Sequence, residues 1–144
     1  MNLNDDELRQ MLALMETYKN RVEALSRQVN VLRSTLDEVK MANESVKALM
    51  EANEGDEILI PIGASSFMNV KVSSNKNIIV GVGSNISVEK TPEEASSYMS
   101  ANAAELTEAL KKTVDALNEV QQALSTVSEA VQMEYMNRQQ TPMQ

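Results

Sequence analysis

The chain has 144 residues, a formal net charge of −8, 24% charged and 42% hydrophobic residues, and no Cys, His or Trp. This excludes thiolate nucleophiles, disulfides, zinc sites of the usual ligands and imidazole general bases. The acidic balance also denies the chain the basic surface on which nucleic-acid affinity rests.

Aromatic residues make up only 3% of the chain, while Met reaches ten residues. The N-terminus has no cationic stretch running into an apolar one, and no window approaches the roughly 20 apolar residues of a membrane span. The expectation is a soluble, cytoplasmic protein with no cofactor, no nucleic-acid partner and no membrane partner. Gly55, Gly63, Gly81, Gly83 and Pro61 all fall within residues 55–83, with Pro92 close behind. They divide the chain into a helical segment 1–54, a module 55–90 and a second helical segment 91–144.

The first segment opens with Asn4 and Glu7, spaced as a capping box in which each side chain satisfies an orphan backbone N–H of the other. A heptad follows. Leu8, Met15, Val22, Val29 and Leu36 form one apolar row, and Met11, Tyr18, Leu25, Leu32, Val39 and Val46 form a second, the a and d seam of a coiled coil. Asn43 interrupts the first row, which resumes at Met50 before Gly55 stops the helix. Asn43 is either a buried residue that fixes register or a solvated one near the central module, and the second reading is the expectation. A helix from Asp5 to Asn53 is on the order of 70 Å long at 1.5 Å per residue, too long for a compact core.

In residues 56–90 period 2 replaces period 3.5. Residues 57–62 are apolar on both faces, Met68, Val70 and Val72 alternate with polar residues, Ile78, Val80 and Val82 form a third run, and Ile86 and Val88 a fourth. Turn residues at 63–66, 73–77 and 83–85 predict four strands in two β-hairpins, with Pro61 marking an edge or a bulge. About 35 residues are too few for an unaided core. The module is therefore expected to be an oligomerisation device, pooling hairpins from several chains into a closed sheet.

The last segment begins with Thr91, Pro92, Glu93 and Glu94, a capping Thr, a Pro at the first helical position and an acid at the third. Its rows are Ala103, Leu110, Leu117, Leu124, Val131 and Leu106, Thr113, Val120, Val127, broadened by Val114. Two helices of matched length predict an antiparallel coiled-coil hairpin, with separate pairing to other chains as the alternative. The tail 137–144 is expected to fray.

This whole-chain arrangement resembles prefoldin, in the archaeal type of its alpha class. The resemblance is carried most specifically by Glu57-Ile-Leu-Ile-Pro-Ile-Gly63 with the following Ala-Ser-Ser-Phe, and by Asn77-Ile-Ile-Val-Gly-Val-Gly83-Ser-Asn-Ile-Ser-Val88. It implies a mainly α chain whose two β-hairpins assemble into an intersubunit β-barrel. It also implies a hetero-hexamer of two alpha-class and four beta-class subunits, with the coiled coils as tentacles. Such an assembly is an ATP-independent holdase that captures non-native client proteins between its tips and passes them to a group II chaperonin.

On that reading, Ile58, Ile60, Ile62, Phe67, Met68, Val70, Val72, Ile78, Val80, Val82, Ile86 and Val88 serve subunit assembly. Client binding falls to Met1, Leu3, Leu8, Met11, Leu12, Met15, Val131, Met133, Tyr135 and Met136, joined by Leu14 and Met143 at the ends of the arms. Unbranched, polarizable Met side chains repack against varied apolar shapes, and exposed apolar residues off the seam mark a binding patch. Met11 and Met15 also serve as ordinary seam residues. Arm tips that splay apart are expected to add their own seam residues to this surface.

The second helix is acidic. Glu93, Glu94, Glu105, Glu108, Asp115, Glu119, Glu129 and Glu134 outnumber Lys111, Lys112 and Arg138. They form a solvated face, or one that steers the chain to a basic surface of the chaperonin. Asp5-Asp6 and Asp37-Glu38 are neighbours that do not face each other on a helix, so they make no acid/base pair. The competing reading is a structural protein, a self-assembling filament or scaffold subunit of the prefoldin type.

Overall fold

The computed structural model describes residues 3–141. Met1, Pro142 and Met143 lie outside the described residues. The element order is α1 (Asp5–Glu51), β1 (Glu57–Gly63), β2 (Ser66–Lys71), β3 (Ile78–Gly83), β4 (Ile86–Lys90) and α2 (Pro92–Gln140). The chain divides into two compact units, one of Met1–Val31 with Ala109–Gln144 and one of Leu32–Glu108.

Both helices start as their sequences dictate. At α1, the Asn4 N–H donates to Glu7 Oε2 and the Glu7 N–H to Asn4 Oδ1, both at 2.8 Å. At α2, the Thr91 N–H donates to Glu94 Oε2 at 3.3 Å and the Glu94 N–H to Thr91 Oγ1 at 3.2 Å. Each pair satisfies donors that the first helical turn leaves without an intrahelical partner. Along α1 the heptad rows from Leu8 to Val46 are buried or half-buried throughout, as are the rows of α2 from Ala103 to Val131.

Met50 departs from this pattern and is exposed. The cause is geometric: Val46 packs with Ala95, which lies in the first turn of α2, so one turn further along α1 no α2 surface remains to cover Met50. The helix stops at Glu51, two residues short of the expected Asn53. Asp56 Oδ2 accepts the Asn53 N–H at 2.9 Å, and Gly55 takes φ +89°, a backbone conformation that costs glycine no steric penalty.

The second unit holds two separate antiparallel two-stranded sheets, β1–β2 and β3–β4. They are built alike. Gly63 pairs with Ser66 and Gly83 with Ile86, the register slips by a bulge between Pro61 and Gly63 and again between Gly81 and Gly83, and a two-residue turn closes each hairpin. Pro61 therefore sits at a bulge, in a strand that is also an edge.

Both turns place two non-glycine residues at positive φ: Ala64 (49°) with Ser65 (56°), and Ser84 (52°) with Asn85 (59°). This is the type I′ geometry that matches strand twist, and it strains residues bearing a Cβ. Ser65→Gly is expected to stabilise the chain by up to about 1 kcal/mol, measured by thermal unfolding; an unchanged melting temperature would show that the turn carries no such strain.

The core of this unit is Val46 of α1, Val80 of β3 and Ala95 of α2, with Ile78, Tyr98 and Met99 packed around it. The β3–β4 hairpin is thus anchored by its first strand. The β1–β2 end is held by the backbone: Gly55 N–H donates to Val72 O at 2.7 Å and Val72 N–H to Asp56 O at 2.9 Å. Asn75 Nδ2 donates to Ala52 O at 2.8 Å, tying the inter-hairpin loop to the end of α1.

Asn43 is half-buried rather than solvated. It accepts from Ser96 Oγ at 2.9 Å, and its Nδ2 donates to Ser100 Oγ at 3.1 Å, so one seam amide is paired with two hydroxyls one turn apart on α2. Removing one partner strands the other, whereas removing both replaces a polar contact with an apolar one. Asn43→Leu with Ser96→Ala is expected to raise stability by roughly 1 kcal/mol, at the expense of register specificity, and Asn43→Leu alone by less. A lowered melting temperature in the double variant would count against this reading.

Candidate functional site

Two surfaces stand out, one in each unit. In the first unit, the end where α1 begins and α2 finishes, termed the tip below, carries a cleft of about 420 Å³ lined by Leu3, Met11, Ala130, Met133, Glu134 and Asn137. Beside it Met133 is 64% exposed, and Tyr135, Met136 and Leu14 are also exposed. Leu3, Met11, Leu12 and Met15 are half-buried. Leu8 and Val131, expected on the binding surface, are buried in the seam, where each is covered by the opposite helix and adds nothing to that surface. Met1 is outside the described residues.

The expected splaying of the tip is not what the structure has. Arg138 Nε donates to Glu134 Oε1 at 2.8 Å, its Nη1 to Asp5 Oδ1 at 2.9 Å and its Nη2 to the Leu3 carbonyl at 3.0 Å. The Leu3 N–H donates to Glu134 Oε2 at 3.3 Å. Beside this network α2 continues in helical form to Gln140, so residues 137–140 of the expected fraying tail are helical.

Glu134 is only 3% exposed, not part of a solvated acidic face. The hydrogen bond from Arg138, then that from the Leu3 N–H, holds its carboxyl below the usual carboxylate range, and the same contact raises Arg138. A depressed carboxylate contributes stability above its unfolded value, about 4.3 for Glu, and loses it as the pH falls through the folded one. Hydrogen-exchange protection at the first turn of α1, taken relative to the intrinsic rate at each pH, is therefore expected to hold at neutral pH and to fall only below that range. Arg138 is the cation paired with Glu134, and it pairs with Asp5 as well. The spacing of Glu134 and Arg138, four residues apart on a helix, is the signal that would have found the pair.

In the second unit the hairpins cover some of their apolar residues and leave others exposed. Val72 and Val80 are buried, and Ile58, Ile60, Val70 and Ile78 half-buried, toward the protein's own helices. Ile62, Phe67 (65% exposed) and Met68 on one hairpin, and Val82, Ile86 and Val88 on the other, are exposed, although Met68 pairs with Ile60 and Val88 with Val80 on the same sheet face. Leu59 and Ile79 (74% exposed) join them; the alternation placed those two on the opposite parity and so missed them. This is far more exposed apolar surface than a small solvated module carries alone.

Residues 18–137 match the family model of the prefoldin subunit. The chain belongs to the prefoldin family. The alpha subunit of prefoldin from Methanothrix thermoacetophila is 33% identical over 108 residues, covering 75% of this chain and 71% of that one. The alpha subunit from Pyrococcus horikoshii is 32% identical over 133 residues, covering 92% and 90%. These archaeal relatives make the chain an alpha-type prefoldin subunit. A cryo-EM structure of filamentous prefoldin from Methanocaldococcus jannaschii shares the fold, with a TM-score of 0.62 and 24% identity over 81% of this chain and 97% of that one. As a prefoldin subunit the chain is a chaperone component.

Proposed function

We propose that this chain is the alpha-class subunit of a cytoplasmic, ATP-independent holdase. It joins beta-class subunits, two alpha with four beta, through its hairpins, captures non-native proteins at its tips and hands them to a group II chaperonin. The observation that carries the reading is the exposed apolar group Met133, Tyr135 and Met136 beside the tip cleft, a surface with no role in the chain's own core. Flexible thioethers and an aromatic ring suit clients of varied sequence. The acidic face of α2 supports an electrostatically steered handover, which added salt weakens.

The test is light scattering of a chemically unfolded protein diluted into buffer without nucleotide, in the presence of the assembled chain. Met133→Ser, Tyr135→Ser and Met136→Ser together are expected to cut suppression of aggregation severalfold while the hexamer remains intact by native mass spectrometry. Undiminished suppression would place client capture elsewhere. Long polymers in place of hexamers would favour a structural role.

A further inference from the structure

The polar network at the tip is arranged around the backbone of one residue. Leu3 has its N–H taken by Glu134 Oε2 and its carbonyl by Arg138 Nη2. Two side chains one turn apart on α2 thus hold both backbone polar groups of a residue that precedes α1, much as a partner strand would. Leu3 is also a wall of the apolar cleft, opposite Met133 and Ala130.

The guanidinium binds three acceptors at once, two of them on the α1 side: the carboxylate of Asp5 and the Leu3 carbonyl. Its rigid fork suits this role, which a Lys ammonium, a point charge on a flexible stem, does not reproduce. Loss of Arg138 removes the contacts that tie Asp5 and the Leu3 carbonyl to α2 and leaves the shielded Glu134 carboxylate without its cation, so α1 and α2 are held less closely at this end.

We propose that Arg138 is a positioning residue that, through Glu134 and Asp5, clasps Leu3 against α2 and so sets how widely the tip cleft opens to a client. The inference rests on the client-capture reading above. Closed, the clasp keeps Leu8 and Val131 in the seam. Open, it adds them and Met11 to the surface presented by Met133 and Met136. Clients then bind the open fraction of tips, and the clasp lowers apparent affinity by that fraction.

The test reads tip geometry apart from client capture. The chain has no native Cys, so Asp6→Cys and Gln139→Cys, both at exposed positions, accept spin labels in the full-length assembled chain, diluted with unlabelled alpha subunits. A narrow distance distribution is expected with Arg138 present, a broader and longer one in Arg138→Ala, and an intermediate one in Arg138→Lys. Added salt is expected to broaden the first and leave Arg138→Ala unchanged, because Arg138 and Asp5 face solvent. In the scattering assay Arg138→Ala is expected to halve aggregation at roughly threefold lower chaperone concentration.

An unchanged distance distribution in Arg138→Ala overturns the clasp. So does a broadened one whose aggregation suppression matches wild type. If the wild-type assembly suppresses no aggregation while Arg138→Ala broadens the distances, the client reading fails and the clasp geometry stands.

Discussion

Phe67→Asp combined with Ile86→Asp is expected to abolish assembly with beta-class subunits and leave a folded, highly helical chain that elutes as a monomer or small oligomer. Both side chains are exposed on the hairpins, Phe67 paired with Pro61 beside the first bulge and Ile86 with Gly83 at the second turn. The core of the hairpin-bearing unit is Val46, Val80 and Ala95, which neither substitution touches. In the isolated chain the new carboxylates stay in water and cost little. In a closed intersubunit sheet each would be buried without a partner, a penalty of several kcal/mol per ion. Multi-angle light scattering of the mixed subunits and circular dichroism of the variant decide the matter. A full hexamer would remove the hairpins' outer faces from the assembly interface, whereas loss of helicity would show that these residues support the chain's own fold.

The fold was legible because it is built from strong local signals that tertiary context does not override. Two capping boxes, two heptad seams and a cluster of all the glycines determine six elements, and the seam residues are covered where the rows say they should be. Periodicity fails where a row outruns its partner, as at Met50, because a heptad records which face is apolar and not where the opposing helix ends.

The sites were less legible, for two physical reasons. Alternation put the assembly residues on the parity of Ile58, Ile60, Ile78 and Val80, yet exposed Leu59 and Ile79 lie on the other parity, while Val72 and Val80 are buried within the protein's own unit. And the tip is organised by charge, not by apolar pattern. Glu134 resembles any other acid of a solvated face until the chain returns Leu3 and Asp5 to its side, across more than 130 residues of sequence. Asn43 was misjudged on the same ground, since its partners Ser96 and Ser100 are ordinary helix-surface hydroxyls in sequence and become a polar seam contact only when the helices pair.

The second large effect is expected at Ala95. It is 0% exposed and meets Val46 of α1 and Val80 of β3 in one small cluster, so three elements converge on a methyl group. Ala95→Leu inserts three further carbons into a site with no free volume. Either β3 lifts from the helices or α2 shifts, at a cost of about 1–3 kcal/mol. The effect should be uneven across the unit. The β3–β4 hairpin is anchored by Val80 in this cluster, while β1–β2 is held by the backbone bonds of Gly55 and Val72 and by the tether of Asn75 to Ala52. Hydrogen exchange is therefore expected to speed up at Val80 and its β4 partner Val88 well before it does at Ile58 and Val70. Adding Val80→Ala, which gives back part of the inserted volume, should recover some of the lost melting temperature, because the two side chains pack in one cluster and their effects do not add. Strictly additive losses in the double variant would show that Ala95 and Val80 are not packed as a unit.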